Sequence, residues 1–126
     1  MTSWPGGISA ITLFVADLAQ SREFYGRAFG LPVHFEDPES VVYAFGGTLI
    51  NLLAAGAAPE LVEPAAVGRD KDVRFQLTLT VPDVDAACTD LQARGVTLLN
   101  GPVDRPWGVR TASFQDPDGY VWELAR

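Results

Sequence analysis

An acidic side chain lies among apolar neighbours near the end of the chain, where Glu123 belongs to the stretch DPDGYVWEL at 116–124. The first four residues of this stretch are typical of a turn, because proline fixes φ and glycine accepts positive φ. The residues that follow favour a strand. A carboxylate on such a strand can ligate a metal, contact a ligand, act as a general base or only accept hydrogen bonds.

The other reactive residue types give weaker signals. Cys88 falls on the apolar side of a predicted helix, so we expect a buried and inert thiol. His34 is the single histidine and has no evident serine partner. The chain contains no phosphate-binding loop of the Gly-x-x-x-x-Gly-Lys type. We interpret Asp116 and Asp118 as turn residues, which leaves Glu123 as the main candidate for chemistry.

The composition predicts one domain with a well-packed core. The chain has 126 residues, seven Phe, three Tyr, three Trp, one cysteine and a net charge of −7. A single cysteine forms no intrachain disulfide and fits a reducing compartment, so we expect a cytoplasmic protein. An acidic chain is a poor partner for nucleic acid. The N-terminal MTSWPGG does not predict a signal peptide, and no apolar run approaches the roughly 20 residues of a membrane helix.

Two stretches of the chain resemble each other. ITLFVADL at 11–18 and LTLTVPDV at 77–84 are strand-like, and each ends near an aspartate suited to cap a helix. Apolar residues at helical spacing follow, and glycines end both helices, at Gly30 and Gly95. The sequence therefore predicts a single domain, 1–126, with two β–α–β–β–β modules, at 8–55 and 73–125. An Ala-, Pro- and Gly-rich linker and lid, 56–72, joins them.

Shorter runs predict the other strands and their faces. They are Val33–Glu36, Val41–Phe45 and Thr48–Leu53 in module one, and Thr97–Leu99, Arg110–Gln115 and Tyr120–Leu124 in module two. Strand side chains alternate, so Leu77, Leu79 and Val81 should face the helices. Gln76, Thr78 and Thr80 then face the opposite way, where a wet surface suits them better than a core.

The paired modules, the V-x-D motif before each helix and the terminal DPDGYVWEL together resemble the vicinal oxygen chelate superfamily. This superfamily includes glyoxalase I, extradiol dioxygenases, fosfomycin resistance enzymes and bleomycin-binding proteins, and the resemblance covers residues 8–125. It implies an α+β fold in which two βαβββ modules form a curved mixed sheet around a cleft, with helices on the outside. The metal-free, bleomycin-resistance-type members are the most similar.

The resemblance also implies four inward positions that hold a metal in the metal-dependent members. Here they are occupied by Ala10, Asn51, Gln76 and Glu123. Alanine has no donor, and the two amides are weak ligands for first-row metals compared with imidazole or carboxylate. We therefore expect neither a metal nor another cofactor.

A second motif, P-W-G-x-R at 106–110, resembles a loop in which the tryptophan of bleomycin-resistance-type members borders the cleft. Trp107 is thus expected to be a stacking surface, with packing between the modules as the alternative. Arg110 is a candidate charge partner of Glu123, and Trp122 is assigned to the core. The predicted ligand-binding residues are Thr12, Phe14, Asn51, Leu53, Gln76, Thr78, Trp107, Arg110 and Glu123.

These observations favour a metal-independent protein that binds a small molecule, with sequestration of an aromatic or cationic antibiotic as the form the resemblance suggests. A homodimer, with or without exchange of a strand or module, is expected. The alternative is a lyase, isomerase or dioxygenase-like enzyme of the same superfamily that uses Glu123 as a base or as an atypical metal ligand. A third possibility is a domain that has lost its ligand and serves assembly only.

Overall fold

The computed structural model describes residues 3–68 and 72–126, which fall into two compact units. The first unit contains residues 3–26 and 30–68, and the second contains residues 27–29 and 72–126. Residues 69–71 of the predicted linker lie outside the described residues.

The first unit is built on a four-stranded sheet. Its elements are β1 (Ala10–Val15), α1 (Leu18–Phe29, whose last turn groups with the second unit), β2 (Phe35–Asp37), β3 (Ser40–Phe45), β4 (Thr48–Ala54), a 3₁₀ turn (Ala55–Ala57) and α2 (Pro59–Val62). The strand order is β1-β4-β3-β2, with β1 and β4 parallel and the other pairs antiparallel. The predicted linker therefore begins with two short helical segments rather than an irregular chain.

The second unit repeats this plan. Its elements are β5 (Gln76–Thr80), α3 (Val84–Ala93), β6 (Leu98–Asp104), β7 (Arg110–Gln115) and β8 (Val121–Ala125). The order β5-β8-β7-β6 matches the first sheet, again with one parallel pair, β5 and β8. The predicted α+β class with two βαβββ modules is confirmed, and the strands form two separate four-stranded mixed sheets.

Both long helices begin as the sequence predicts. The Asp17 carboxylate accepts a hydrogen bond from the Gln20 backbone N–H, and the Asp83 carboxylate accepts one from Ala86, each at 3.0 Å. These bonds satisfy donors that an uncapped helix leaves unpaired. Gly30 ends α1 at a φ of 63°, a conformation that favours glycine.

Aromatic side chains form the core of the second unit. Trp122 is 1% exposed, and its ring centroid lies 5.0 Å from that of Phe29. Trp122 is opposite Phe114 on the neighbouring strand, so both side chains lie on the same side of the sheet. Phe29 also contacts Phe114, at 5.8 Å. The assignment of Trp122 to the core is therefore confirmed. Cys88 is buried too, and burial raises the pKa of its thiol, which fits an inert side chain.

The largest boundary error of the sequence prediction concerns β6. The strand was expected near Thr97–Leu99 but extends from Leu98 to Asp104, with register irregularities on both sides of Asn100. Gly101 and Pro102 lie in this irregular part and interrupt the local strand pattern, because neither residue favours a regular strand. None of the described helices combines the length and apolar character that a membrane span needs.

Candidate functional site

The second sheet has one face that is lined by polar side chains, here called the polar face. Cross-strand register places its members in rows, because residues directly opposite each other point to the same side. The strongest row runs through Thr78, Glu123, Ser113 and Asn100, one residue from each strand. The polar face also includes Gln76, Thr80, Thr111 and Gln115. The helix side of β7 and β8 carries Leu124, Trp122 and Phe114. Leu77 and Leu79 of β5 are opposite Trp122 and Leu124, so the predicted alternation is confirmed for β5 and β8.

Glu123 lies at the centre of this row and is half-buried. The Thr78 hydroxyl donates a hydrogen bond to its Oε1 at 3.0 Å. Among the described residues this is the one hydrogen bond that the carboxylate accepts, so Oε2 is left for water or a ligand. Gln76 is opposite Val121, two residues before Glu123 on β8, and does not donate a hydrogen bond to Glu123. The partner of Glu123 on this face is therefore Thr78.

A polar network on β6 and β7 was missed by the sequence analysis. Asn100 Oδ1 accepts hydrogen bonds from the Ser113 hydroxyl at 3.1 Å and from Arg105 Nη2 at 3.3 Å. Arg105 Nε donates to the Thr111 hydroxyl at 2.9 Å. Ser113 and Thr111 are 5% and 2% exposed. The network thus holds a guanidinium against the polar face beside the Glu123 row.

Part of this network was readable from the sequence. In TASFQ at 111–115, Thr111, Ser113 and Gln115 alternate with Ala112 and Phe114. This is the same polar and apolar alternation that identified the polar side of β5. The positions of Asn100 and Arg105 carry no such signal, because the register of β6 shifts twice against β7.

Arg110 lies on the other side of β7 and is not a partner of Glu123. Its guanidinium donates two hydrogen bonds of 2.8 Å to the Asp85 carboxylate and one of 3.0 Å to Asp104. Alternation explains the placement, since Arg110 shares the face of Ala112 and Phe114. The hydrogen bonds from Arg110 lower the pKa of Asp85. The pairing of Arg110 with Glu123 that the sequence suggested is therefore wrong, and a role of Arg110 in ligand binding stays a prediction.

Trp107 lies in the tight turn between β6 and β7. The turn is closed by hydrogen bonds from the Arg105 N–H to the Val109 carbonyl oxygen at 2.8 Å and from the Gly108 N–H to the Arg105 carbonyl oxygen at 3.0 Å. The Trp107 side chain is 71% exposed. A ring on so short a turn is available for stacking, and it is not a packing residue of its own unit.

The equivalent face of the first sheet is less polar. Thr12 is opposite Asn51 and Phe14 is opposite Leu53, so these four predicted site residues share one face of β1 and β4. The helix α1 packs on the other face, where the Tyr43 hydroxyl donates to the Arg22 carbonyl oxygen at 3.1 Å. Leu53 is buried, whereas Thr12 is exposed and Phe14 is half-buried. The register therefore brings together four residues that the sequence analysis had proposed as ligand-binding.

Asn51 has an unsatisfied polar atom. Its Nδ2 donates a long hydrogen bond of 3.4 Å to the Thr12 hydroxyl, and its Oδ1 is buried and accepts no hydrogen bond from the described residues. Reversing the amide leaves the nitrogen without an acceptor instead, since Thr12 reaches one end of the group only. A buried polar atom without a partner costs about 1–3 kcal/mol. A bound water or ligand group would remove this cost.

The residues present do not fit a first-row transition metal. Of the four positions that the resemblance implies, Ala10 has no donor atom, and Asn51 and Gln76 carry neutral amides. Glu123 is the single carboxylate, and Thr78 already donates to it. His34, the one histidine, lies before β2 and is exposed. Within residues 3–68 and 72–126, no three His, Cys, Asp or Glu side chains are grouped closely enough to hold a metal ion.

Comparison with known proteins agrees with this fold. Residues 7–124 match the model of the Glyoxalase/Bleomycin resistance protein/Dioxygenase superfamily. Protein YraH of Bacillus subtilis (strain 168), which is described as uncharacterized, is 35% identical over 119 residues, or 90% of this chain and 93% of YraH. The chain therefore belongs to the glyoxalase/bleomycin resistance protein/dioxygenase superfamily, as the sequence motifs indicated.

Solved structures support the same placement. A glyoxalase-related enzyme from Fulvimarina pelagi superposes with a TM-score of 0.82 at 30% identity, covering 96% of this chain and 88% of that one. TioX from Micromonospora sp. ML1 gives a TM-score of 0.79 at 25% identity, covering 96% and 98%. The chain is thus similar both to a protein described as an enzyme and to TioX, so membership of the superfamily does not select one activity.

Proposed function

We propose that this protein binds an aromatic or cationic small molecule without a metal ion, and that the polar face of the second sheet is the binding surface. The observation that carries the proposal is the free Oε2 of Glu123 on the polar face, in a sheet whose β6–β7 turn carries the exposed Trp107. A carboxylate and an aromatic ring are the groups that recognise cationic aromatic compounds. The net charge of −7 also favours the approach of a cation.

The first sheet supplies a second surface of the same kind. The buried Oδ1 of Asn51 lacks a donor among the described residues, and Thr12 and Phe14 lie beside it. A ligand that donates a hydrogen bond there would regain the energy that this atom loses on folding. The proposal also includes a homodimer in the cytoplasm, with antibiotic sequestration as the biological role.

The test is a tryptophan fluorescence titration with bleomycin, which is aromatic and cationic. We expect Trp107→Ala to weaken binding by at least about tenfold, because a tryptophan at the centre of an interface often contributes 2 kcal/mol or more. Trp4→Ala is the matched control, since Trp4 is 84% exposed and precedes the first sheet. Equal affinity of both variants would remove Trp107 from the site.

Adding EDTA should leave the affinity of the unmodified protein unchanged, and a loss of affinity would overturn the metal-free proposal.

An enzymatic function is the second candidate, and the half-free carboxylate of Glu123 is the observation that favours it. A carboxylate with one open oxygen can remove a proton from a carbon next to a carbonyl group. We expect such an enzyme to exchange that hydrogen with solvent, which ¹H NMR in ²H₂O detects with a panel of ketones and 2-oxo acids.

Glu123→Gln separates the two candidates, because glutamine keeps the shape of the side chain and loses the base. If Glu123 is a base, exchange should fall by at least about 100-fold. If the acid only pairs with a cation, the unmodified protein shows no exchange and the variant binds bleomycin more weakly. Exchange at the same rate in both proteins would exclude Glu123 as the base.

A further inference from the structure

The β6–β7 hairpin carries two arginines, Arg105 and Arg110, and their side chains have different kinds of partner. Arg110 is paired with two carboxylates, Asp85 and Asp104. Arg105 forms no ion pair among the described residues, although the chain has 16 acidic residues and 9 basic ones. Its partners there are neutral oxygens, the hydroxyl of Thr111 and the amide oxygen of Asn100. The positive charge of a half-buried guanidinium is therefore left without compensation in this part of the chain.

The two partners also fix the plane of the guanidinium. Nε and Nη2 lie on one edge of the group, and both donate to groups of the polar face, at 2.9 and 3.3 Å. Asn100 Oδ1 is itself held by the Ser113 hydroxyl, and Thr111 and Ser113 are both buried. A guanidinium has five N–H donors, so three stay without a protein partner among the described residues. An oriented guanidinium with spare donors is suited to an oxyanion, which it can bind through two parallel hydrogen bonds.

The register places this cation at a defined distance from Glu123. Glu123 on β8 is opposite Ser113 on β7, and Ser113 is opposite Asn100 on β6. Neighbouring strands are about 4.8 Å apart, so the backbones that carry Glu123 and the Asn100 anchor are roughly 10 Å apart. Trp107 lies two residues after Arg105 in the same turn. The polar face thus presents a carboxylate on β8 and a guanidinium held by side chains of β6 and β7, and the turn that carries Arg105 also carries the exposed aromatic ring of Trp107.

We infer that Arg105 is a specificity-determining residue that receives an oxyanion, a carboxylate or a phosphate, on the ligand of the polar face. This inference rests on the proposed function and extends it. The ligand carries an anionic group in addition to the aromatic or cationic part that Trp107 and Glu123 recognise. A purely structural role for Arg105 would tie the turn to the sheet but would not discriminate between anionic and neutral ligands.

The experiment compares three probes of one shape, 2-naphthoate, 2-naphthyl phosphate and the neutral 2-naphthamide. Their affinities are measured by calorimetry, and the arginine Nε–H signals are followed by ¹⁵N NMR. We expect at least one anion to bind roughly tenfold or more tightly than the amide, as hydrogen bonds to charged groups contribute about 1.5–3 kcal/mol. The same anion should shift the Arg105 Nε–H signal, which is identified by its loss in Arg105→Lys. Comparing the affinities of 2-naphthoate and 2-naphthyl phosphate shows whether the site prefers a carboxylate or a phosphate.

Arg105→Gln should remove the preference for the anion and leave the affinity for the amide within about twofold. Arg22→Gln is the matched control, because it makes the same change in net charge at an exposed arginine that pairs with Glu36 on the helix side of the first sheet. The NMR spectrum of each variant reports whether it is folded. If the three probes bind equally and Trp107→Ala weakens them all, the proposed function holds and the role of Arg105 is wrong. If none of the probes binds although bleomycin does, the proposed function holds and the role of Arg105 is wrong; if bleomycin does not bind either, both fail.

Discussion

Trp122→Ala is expected to lower the free energy of unfolding by about 3–5 kcal/mol, the range for truncating a large buried aromatic side chain. Trp122 is 1% exposed and contacts Phe29 at 5.0 Å between ring centroids, so alanine leaves a cavity that rigid neighbours fill poorly. Domains of this size are stable by about 5–15 kcal/mol, so the loss is a large share of the total. Urea denaturation followed by circular dichroism measures it.

Trp107→Ala is the matched control for this prediction. Trp107 is 71% exposed, and we expect its loss to change the free energy of unfolding by less than about 0.5 kcal/mol. The same variant is used to test binding, so a stable fold here allows its loss of affinity to be assigned to the site. Similar destabilisation by both replacements would contradict the placement of Trp122 in the core and of Trp107 on an exposed turn.

Gly101→Ala is expected to destabilise the protein by about 2–5 kcal/mol, the sum of backbone strain and overpacking. Gly101 has a φ of 81°, and an added Cβ would collide with the Thr111 carbonyl oxygen and lie 2.7 Å from Ala112 Cα. Both contacts are with backbone atoms of β7, which yield less readily than a flexible side chain. Differential scanning calorimetry at several scan rates measures the change.

Gly108→Ala isolates the contribution of the close approach. Gly108 has a similar φ of 91°, but nothing lies within 4 Å of an added Cβ. Its replacement should therefore cost only the strain of a positive φ, about 1–2 kcal/mol. Because Thr111 and Asn100 orient Arg105, Gly101→Ala should also weaken the preference for 2-naphthoate in any folded fraction. Equal losses of stability in both variants would mean that β6 does not approach β7 as closely as described.

The polar face carries a cationic side chain, Arg105, and an anionic side chain, Glu123, so a ligand of one charge would pair with only one of them. A cationic aromatic ligand explains the use of Glu123 and Trp107 but leaves the guanidinium of Arg105 uncompensated among the described residues. A ligand with groups of both signs satisfies all three side chains. The net negative charge of the chain does not prevent an anion from binding at Arg105. The acidic excess is spread over the whole sequence, whereas the guanidinium is fixed by neutral partners.

The repeat, the helix starts and the strand faces followed from short segments of sequence. Asp17 and Asp83 cap their helices, as expected of aspartate before an apolar helical pattern. Alternation separated Thr78 from the aliphatic side of β5, the resemblance placed Glu123 on the inward face, and the register between β5 and β8 makes the two direct partners. The weak metal-ligand set was equally visible, because it depends only on which residue types occupy the positions that the resemblance identifies.

The sequence by itself determined the two-module plan, the starts of both long helices and the polar side of β5, because capping and alternation act over a few neighbouring residues. The tertiary structure alone decided that Arg105 lies against Asn100 and Thr111, that Arg110 pairs with Asp85, and that Asn51 keeps an unpaired oxygen. These contacts depend on the register of β6 across its irregular stretch and on atoms that approach only after the sheets form. Pairing between segments far apart in the chain leaves no local pattern, so such contacts had to be observed.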